Sequence, residues 1–190
     1  GETKHLSSCS LCNGSVASTI IYPTNGGVYK IASGVGNNMY LDFACTNTNV
    51  QIYENCDNHS DPTFIISQYF KLTHVGDGWY SIINIGNGKC VDIENTNPAS
   101  GTNIMQWDYY QNDGQLYRFY DAGDGYCYIK SKLGTYADVA NGYSVNNTNV
   151  WAYSFNGSNA QKWKLLPVRT VNDGNYTISS EVLDDMVVDV

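Results

Sequence analysis

One short phrase recurs along this chain at a nearly fixed interval. It opens with glycine and a variable residue and closes on isoleucine. It reads Gly27-Val-Tyr-Lys-Ile31, Gly78-Trp-Tyr-Ser-Ile82, Gly125-Tyr-Cys-Tyr-Ile129 and Gly174-Asn-Tyr-Thr-Ile178. The glycines stand 51, 47 and 49 residues apart. A period of this size is the mark of a repeat architecture, in which each unit is one supersecondary element. Three further anchors follow each of the first three openings in a constant order, and the first of them also follows the fourth. An apolar-Asp-apolar triplet comes first: Leu41-Asp42-Phe43, Val91-Asp92-Ile93, Ala137-Asp138-Val139 and Val188-Asp189-Val190. Next is a strand-like run ending on an aromatic, at Tyr53, Trp107 and Tyr153. Each full unit closes with Gln, one residue and an aromatic: Gln68-Tyr-Phe70, Gln115-Leu-Tyr117 and Gln161-Lys-Trp163.

Between these anchors, short apolar stretches alternate with turn clusters such as Gly86-Asn-Gly88 and Asn156-Gly-Ser158. No stretch has the i, i+3, i+4, i+7 spacing of a long helix. Several strands per unit at short spacing point to an all-β barrel or sandwich. Three four-strand units close around a threefold axis and so hide their sheet edges. The expected fold is an all-β β-trefoil over residues 25–168, with Ile31, Ile82 and Ile129 meeting near the axis. Residues 1–24 lack strand or helix periodicity and read as an N-terminal segment and linker. A trefoil is complete with three units, so residues 169–190 read as a linker and the truncated start of a second trefoil repeat.

Here the motifs carry a family likeness. From Gly27 to about Leu166 the chain resembles the ricin-type lectins and the related family 13 carbohydrate-binding modules, which carry the Asp triplet, the aromatic and Gln-x-Trp in this order. The resemblance implies one sugar pocket per unit. Its Asp accepts from two sugar hydroxyls, its aromatic stacks on the ring, and the Gln supports the Asp from behind. That assigns Asp42, Tyr53 and Gln68 to the first pocket, Asp92, Trp107 and Gln115 to the second, and Asp138, Tyr153 and Gln161 to the third. The family's Asn directly before the Gln is replaced by Ser67, Gly114 and Ala160, so Asn112, Asn156 and Asn159 are the expected substitutes. The residue two before the aromatic also varies among Gln51, Met105 and Trp151: Gln51 keeps a polar contact, and Trp151 offers a second stacking face. A long loop, Asn55 to Ile66, reshapes the first pocket, so the third and second sites rank above the first.

Charge and composition fit a neutral ligand. The net charge is −8, which disfavours a nucleic-acid partner, since that binding rests on clustered Lys and Arg. No apolar run approaches the length of a membrane span. No cofactor is expected. His5, His59 and His74 give no metal-ligand spacing with Cys9-Ser-Leu-Cys12, so no metal is expected either. The three histidines also provide no nucleophile, base and orienter. A glycosidase needs two carboxylates across one bond, and each unit matches a single Asp. Cys45 and Cys56 are candidates to close a loop, whereas Cys90 and Cys127 read as small buried residues. Five glycosylation sequons start at Asn13, Asn58, Asn146, Asn156 and Asn175. The function expected is non-catalytic carbohydrate binding to galactose- or xylose-type glycans, in a secreted protein with room for a tandem trefoil or a catalytic domain. The alternative is a trefoil interaction or inhibitor scaffold with vestigial sugar sites.

Overall fold

The structure is a computed structural model that describes residues 19–168. In chain order its strands are β1 (Ile20–Ile21), β2 (Val28–Ser33), β3 (Met39–Phe43), β4 (Val50–Glu54) and β5 (Phe70–Gly76). The second unit contributes β6 (Trp79–Asn84), β7 (Cys90–Ile93), β8 (Thr102–Trp107) and β9 (Tyr117–Gly123). The third contributes β10 (Tyr126–Ser131), β11 (Tyr136–Val139), β12 (Thr148–Tyr153) and β13 (Lys162–Pro167). One short helix, α1 (Pro62–Ile66), lies in the first unit.

Pairing closes the body. Strand β2 pairs with β5, β5 with β6, β6 with β9, β9 with β10, β10 with β13, and β13 returns to β2. That ring of six strands is a barrel without a free edge. The remaining strands form three hairpins, β3–β4, β7–β8 and β11–β12. Their second strands meet at one end: β12 pairs with β4 and with β8, and Asn49 bridges Met105. A closed six-strand barrel capped by three hairpins is a β-trefoil.

The repeated anchors have physical causes. Gly78 and Gly125 follow Asp77 and Asp124, and all four have positive φ. Each Asp-Gly pair is the two-residue link of a tight hairpin, with Gly76 paired to Trp79 and Gly123 to Tyr126. Left-handed backbone at both central positions matches the natural strand twist. Ile31, Ile82 and Ile129 are all buried in one core cluster, together with Phe70, Tyr117 and Trp163. Those last three are the closing aromatics of the Gln-x-aromatic motifs. Trp163 Nε1 donates to Ala137 O at 3.0 Å, and Tyr117 Oη donates to Gly114 O at 3.0 Å, so both polar tips are satisfied inside the core.

Two expectations change. The segment before Gly27 does hold a strand: Ile20 and Ile21 pair with Tyr120 and Phe119 of β9. Two residues are too few to show a period, so only the pairing reveals them. Cys45 and Cys56 do not close a loop, because both are free thiols. Phe43 pairs with Val50 at one end of hairpin β3–β4 and Met39 pairs with Glu54 at the other, and the two cysteines follow opposite ends. Burial lifts the thiols of Cys90 and Cys127 to about 12, consistent with inert core residues. The tandem-repeat expectation for Gly174–Val190, and Cys9 and Cys12, lie outside the described residues. Among those described, no helix is long and apolar enough to cross a membrane.

Candidate functional site

Each matched Asp lies in the first strand of a capping hairpin, not in a turn. Asp42 pairs with Gln51, Asp92 with Met105, and Asp138 with Trp151. Directly opposite residues on antiparallel strands share a face. The variable residue two before the aromatic is therefore the cross-strand neighbour of the carboxylate, and its chemistry decides how much of that carboxylate remains open.

In the first unit both carboxylate oxygens are engaged. Gln51 Nε2 donates to Asp42 Oδ1 at 3.0 Å, and Ser67 Oγ lies 2.7 Å from Oδ2. Ser67 Oγ is also 2.7 Å from Phe64 O. A hydroxyl carries one proton, so Ser67 donates to one of these two oxygens or shares its proton between them. Burial pushes the Asp42 carboxyl above its usual range, against the pull of Ser67, Gln51 and Gln68. Gln68 makes its bonds to Glu54 O (2.8 Å) and from Cys56 N (3.2 Å), holding the loop that leads into α1. Helix α1 supplies Phe64 to a cavity wall that also includes Tyr53.

The second unit is open where the first is closed. Met105 has no donor to offer, and Gly114 stands where Ser67 stands in the first unit. A Cβ at Gly114 would come within 3.1 Å of Asp92 Oδ1, so only glycine leaves that oxygen uncrowded. Gln115 Nε2 donates to Asp92 Oδ2 at 2.7 Å and to Asp108 O at 2.7 Å, and its Oε1 accepts from Tyr110 N at 2.8 Å. This is the bracing expected of the motif's Gln. Asp92 Oδ1 has no hydrogen-bond donor among the described residues and faces a cavity of about 310 Å³ with Trp107, Tyr110, Asn112 and Glu94 in its wall. Trp107 is 45% exposed. Asn112 Oδ1 accepts from Gly114 N at 2.8 Å, which holds its amide at the cavity rim.

The third unit is intermediate. Trp151 Nε1 donates to Asp138 Oδ1 at 2.8 Å, while Asn156 Nδ2 reaches Oδ2 only at 3.4 Å. A carboxylate has about four acceptor positions, so Asp138 keeps room for further donors. Trp151 stacks on Tyr153 with centroids 5.2 Å apart, and both line a cavity of about 350 Å³ with Asn156 and Asn159. Trp151 is therefore tied to the carboxylate as well as being a stacking face, which the sequence did not reveal. Gln161 lies close enough to favour the Asp138 charge, but its hydrogen bonds run to Ser154 O (2.8 Å) and from Asn156 N (2.9 Å). Its support of Asp138 is mainly indirect, through the loop bearing Asn156. By availability of carboxylate oxygen, the second site stands ahead of the third and the first comes last.

Burial raises the carboxyls of Asp92 and Asp138 above the ordinary 3.8; Gln115 offsets this for Asp92, and Trp151, Gln161 and Asn156 do so for Asp138. A carboxyl raised on folding opposes folding while ionised, and that cost is relieved as pH falls through its folded value. An Asp that accepts from sugar hydroxyls has the opposite need. Were these carboxylates to accept from sugar hydroxyls, as the sequence resemblance implies, glycan binding would weaken on acidification with a midpoint above 3.8, while the fold loses no stability from these two groups. Asp92→Asn is expected to melt no lower than the parent at neutral pH yet bind less; a fall in melting temperature of the size seen for a core truncation would contradict this.

The family model for ricin-type beta-trefoil lectin domain-like proteins matches residues 19–107, 66–134 and 131–190. No curated protein matches the chain. Among solved structures, the designed threefold-symmetric protein ThreeFoil aligns at 30% identity over 75% of this chain and 99% of its own, with TM-score 0.67. An exo-β-1,3-galactanase from Clostridium thermocellum aligns at 28% identity and TM-score 0.66 over 77% of this chain but only 31% of its own length. A Polyporus squamosus lectin aligns at 23% identity and TM-score 0.63, over 75% of this chain and 49% of its own, a likeness of fold.

Proposed function

Because the chain belongs to the family of ricin-type β-trefoil lectin domain-like proteins, we propose that it is a non-catalytic lectin module whose working pockets are those of Asp92 and Asp138. Carbohydrate binding in general follows from membership; the choice of pockets, sugar and setting is our reading. In each pocket the Asp accepts from vicinal hydroxyls through charge-assisted hydrogen bonds. Trp107 in one, and Tyr153 with Trp151 in the other, take the apolar face of the ring. The observation that carries this reading is the unpartnered Asp92 Oδ1 beside the exposed Trp107. The preferred ligands are galactose- or xylose-type glycans, and the setting is a larger secreted protein that the module directs to polysaccharide or cell-surface glycan.

One shallow site of this kind binds at about millimolar strength. Two sites on one polymer raise avidity by about 10²–10⁴-fold without new contacts. A glycan array probed with the full chain should light up on polymeric or clustered galactose- or xylose-type glycans, with the signal competed by the free sugar. The same glycans should release no reducing sugar on prolonged incubation. An array blank at every glycan would favour the interaction-scaffold alternative.

The closed first unit supplies an internal contrast. Asp42→Ala should leave retention on the responsive glycan within about twofold of the parent, whereas Asp92→Ala should lower it by about tenfold or more. Equal losses in both variants would show that close engagement of both carboxylate oxygens does not decide which pocket works.

A further inference from the structure

The third unit carries an aromatic surface that the other two lack. Tyr136 sits directly across from Tyr153, two residues before Asp138 and on the same face of hairpin β11–β12. Phe155 follows Tyr153 by two residues, with its ring 4.9 Å from Tyr136 and 5.0 Å from Tyr128. Tyr128 and Tyr136 complete the cluster with centroids 6.3 Å apart. Phe155 is 45% exposed and the two tyrosines are half-buried. Aromatic surface thus continues from the stacked Trp151–Tyr153 pair, across the hairpin, to a phenylalanine in solvent.

The equivalent positions elsewhere are filled differently. In the first unit they are Lys30, Tyr40 and Asn55. Lys30 is buried there, 4.1 Å over the Tyr40 ring and bonded to Asn55 and Asp57, which makes a polar plug. In the second unit they are Ser81, Cys90 and Tyr109, with Ser81 and Cys90 buried. A threefold core does not require three rings at these positions, because two of its three units do without them.

We propose that the third unit binds an internal stretch of a neutral glycan chain, with one sugar in the Asp138 pocket and the next on the Tyr136–Phe155–Tyr128 face. The proposal rests on the reading of Asp138 and Tyr153 as a sugar pocket, and it adds the class of ligand: a chain of at least two linked sugars. Continuity with that pocket argues for a glycan over a peptide. The rim agrees, since it offers the neutral Asn156 and Ser158 and, among nearby charges, Lys130 at 5.6 Å from the Tyr136 ring. Sugars stack on rings through their C–H faces irrespective of charge, so a second aromatic platform adds affinity for any chain whose linkage lets two faces lie along it.

Calorimetric titration of the full chain, in an Asp92→Ala background that silences the second pocket, tests this. The probes are D-galactose with β-1,3-galactotriose, and D-xylose with xylotriose. In whichever series binds, the trisaccharide should bind about tenfold tighter than the monosaccharide, the gain expected when one more sugar face leaves water. Phe155→Ala should bring the two within about twofold without altering monosaccharide affinity. Phe155→Trp should keep the gain. A gain from sliding registers alone would survive Phe155→Ala, and that result would overturn the extension while leaving the pocket intact. So would a trisaccharide bound no tighter than its monosaccharide. Binding of neither by the parent would refute the pocket reading and the extension with it. Loss of a dimer in sedimentation of Phe155→Ala, with trisaccharide affinity unchanged, would assign the face to a second copy instead.

Discussion

Trp163→Ala is expected to lose about 3–5 kcal/mol of stability, the usual cost of emptying a large buried aromatic site. Trp163 is fully buried and closes the third Gln-x-aromatic motif, where its ring joins a core shared by all three units. Its truncation removes packing and also leaves Ala137 O without the indole donor 3.0 Å away. That carbonyl belongs to β11, one residue before Asp138, so the damage reaches the pocket. For a domain of this size each kcal/mol shifts the melting temperature by about 2–4 °C, so a drop of roughly 10 °C is the readout. Trp163→Phe keeps most of the ring and loses the hydrogen bond, at a cost nearer 1 kcal/mol beyond the change in volume. Trp107→Ala is the control, since that ring is half in solvent and should change the melting temperature little. Equal melting of the Trp163→Ala and Trp107→Ala proteins would remove the structural reading of the motif.

Much of the fold was legible because symmetry multiplies weak signals. A single Gln-x-aromatic or Asp triplet says little, but three in register fix the unit, the strand count and the shared isoleucine core. What stayed hidden was set by contacts across the hairpins. Gln51, Met105 and Trp151 were visible as a variable position, yet only the register puts each opposite its Asp. Once that is known, a donor at the position predicts one carboxylate oxygen engaged across the hairpin, and a methionine predicts none engaged there. Ser67 was noted only as a departure from the family's Asn, and its hydroxyl proves to touch Asp42. Gly114 was the same kind of departure and has the opposite effect, leaving Asp92 uncrowded. The ranking of the third and second sites above the first follows from the long loop of the first unit, which sequence shows, and not from the donors around each carboxylate, which it does not. Strand β1 escaped for another reason: two isoleucines carry no periodicity, and their pairing with β9 is decided 100 residues away.

The proposed lectin function places sugars on the carboxylates of Asp92 and Asp138. Its most direct test is retention of the double variant Asp92→Ala/Asp138→Ala on galactan- and xylan-coated resins. Each pocket would lose two charge-assisted hydroxyl contacts, worth about 1.5–3 kcal/mol apiece. Even the lower figure takes a site of about millimolar affinity beyond detection, and with both pockets gone no avidity remains to mask the loss. Each single variant should keep partial retention through the surviving pocket. A cooperative melting transition establishes that the double variant is folded, since relief of two buried charges offsets only part of the loss of the bonds from Gln115 and Trp151. The account predicts that the folded double variant elutes in the void on whichever resin retains the parent. Retention equal to the parent's would place the carbohydrate site elsewhere on the molecule.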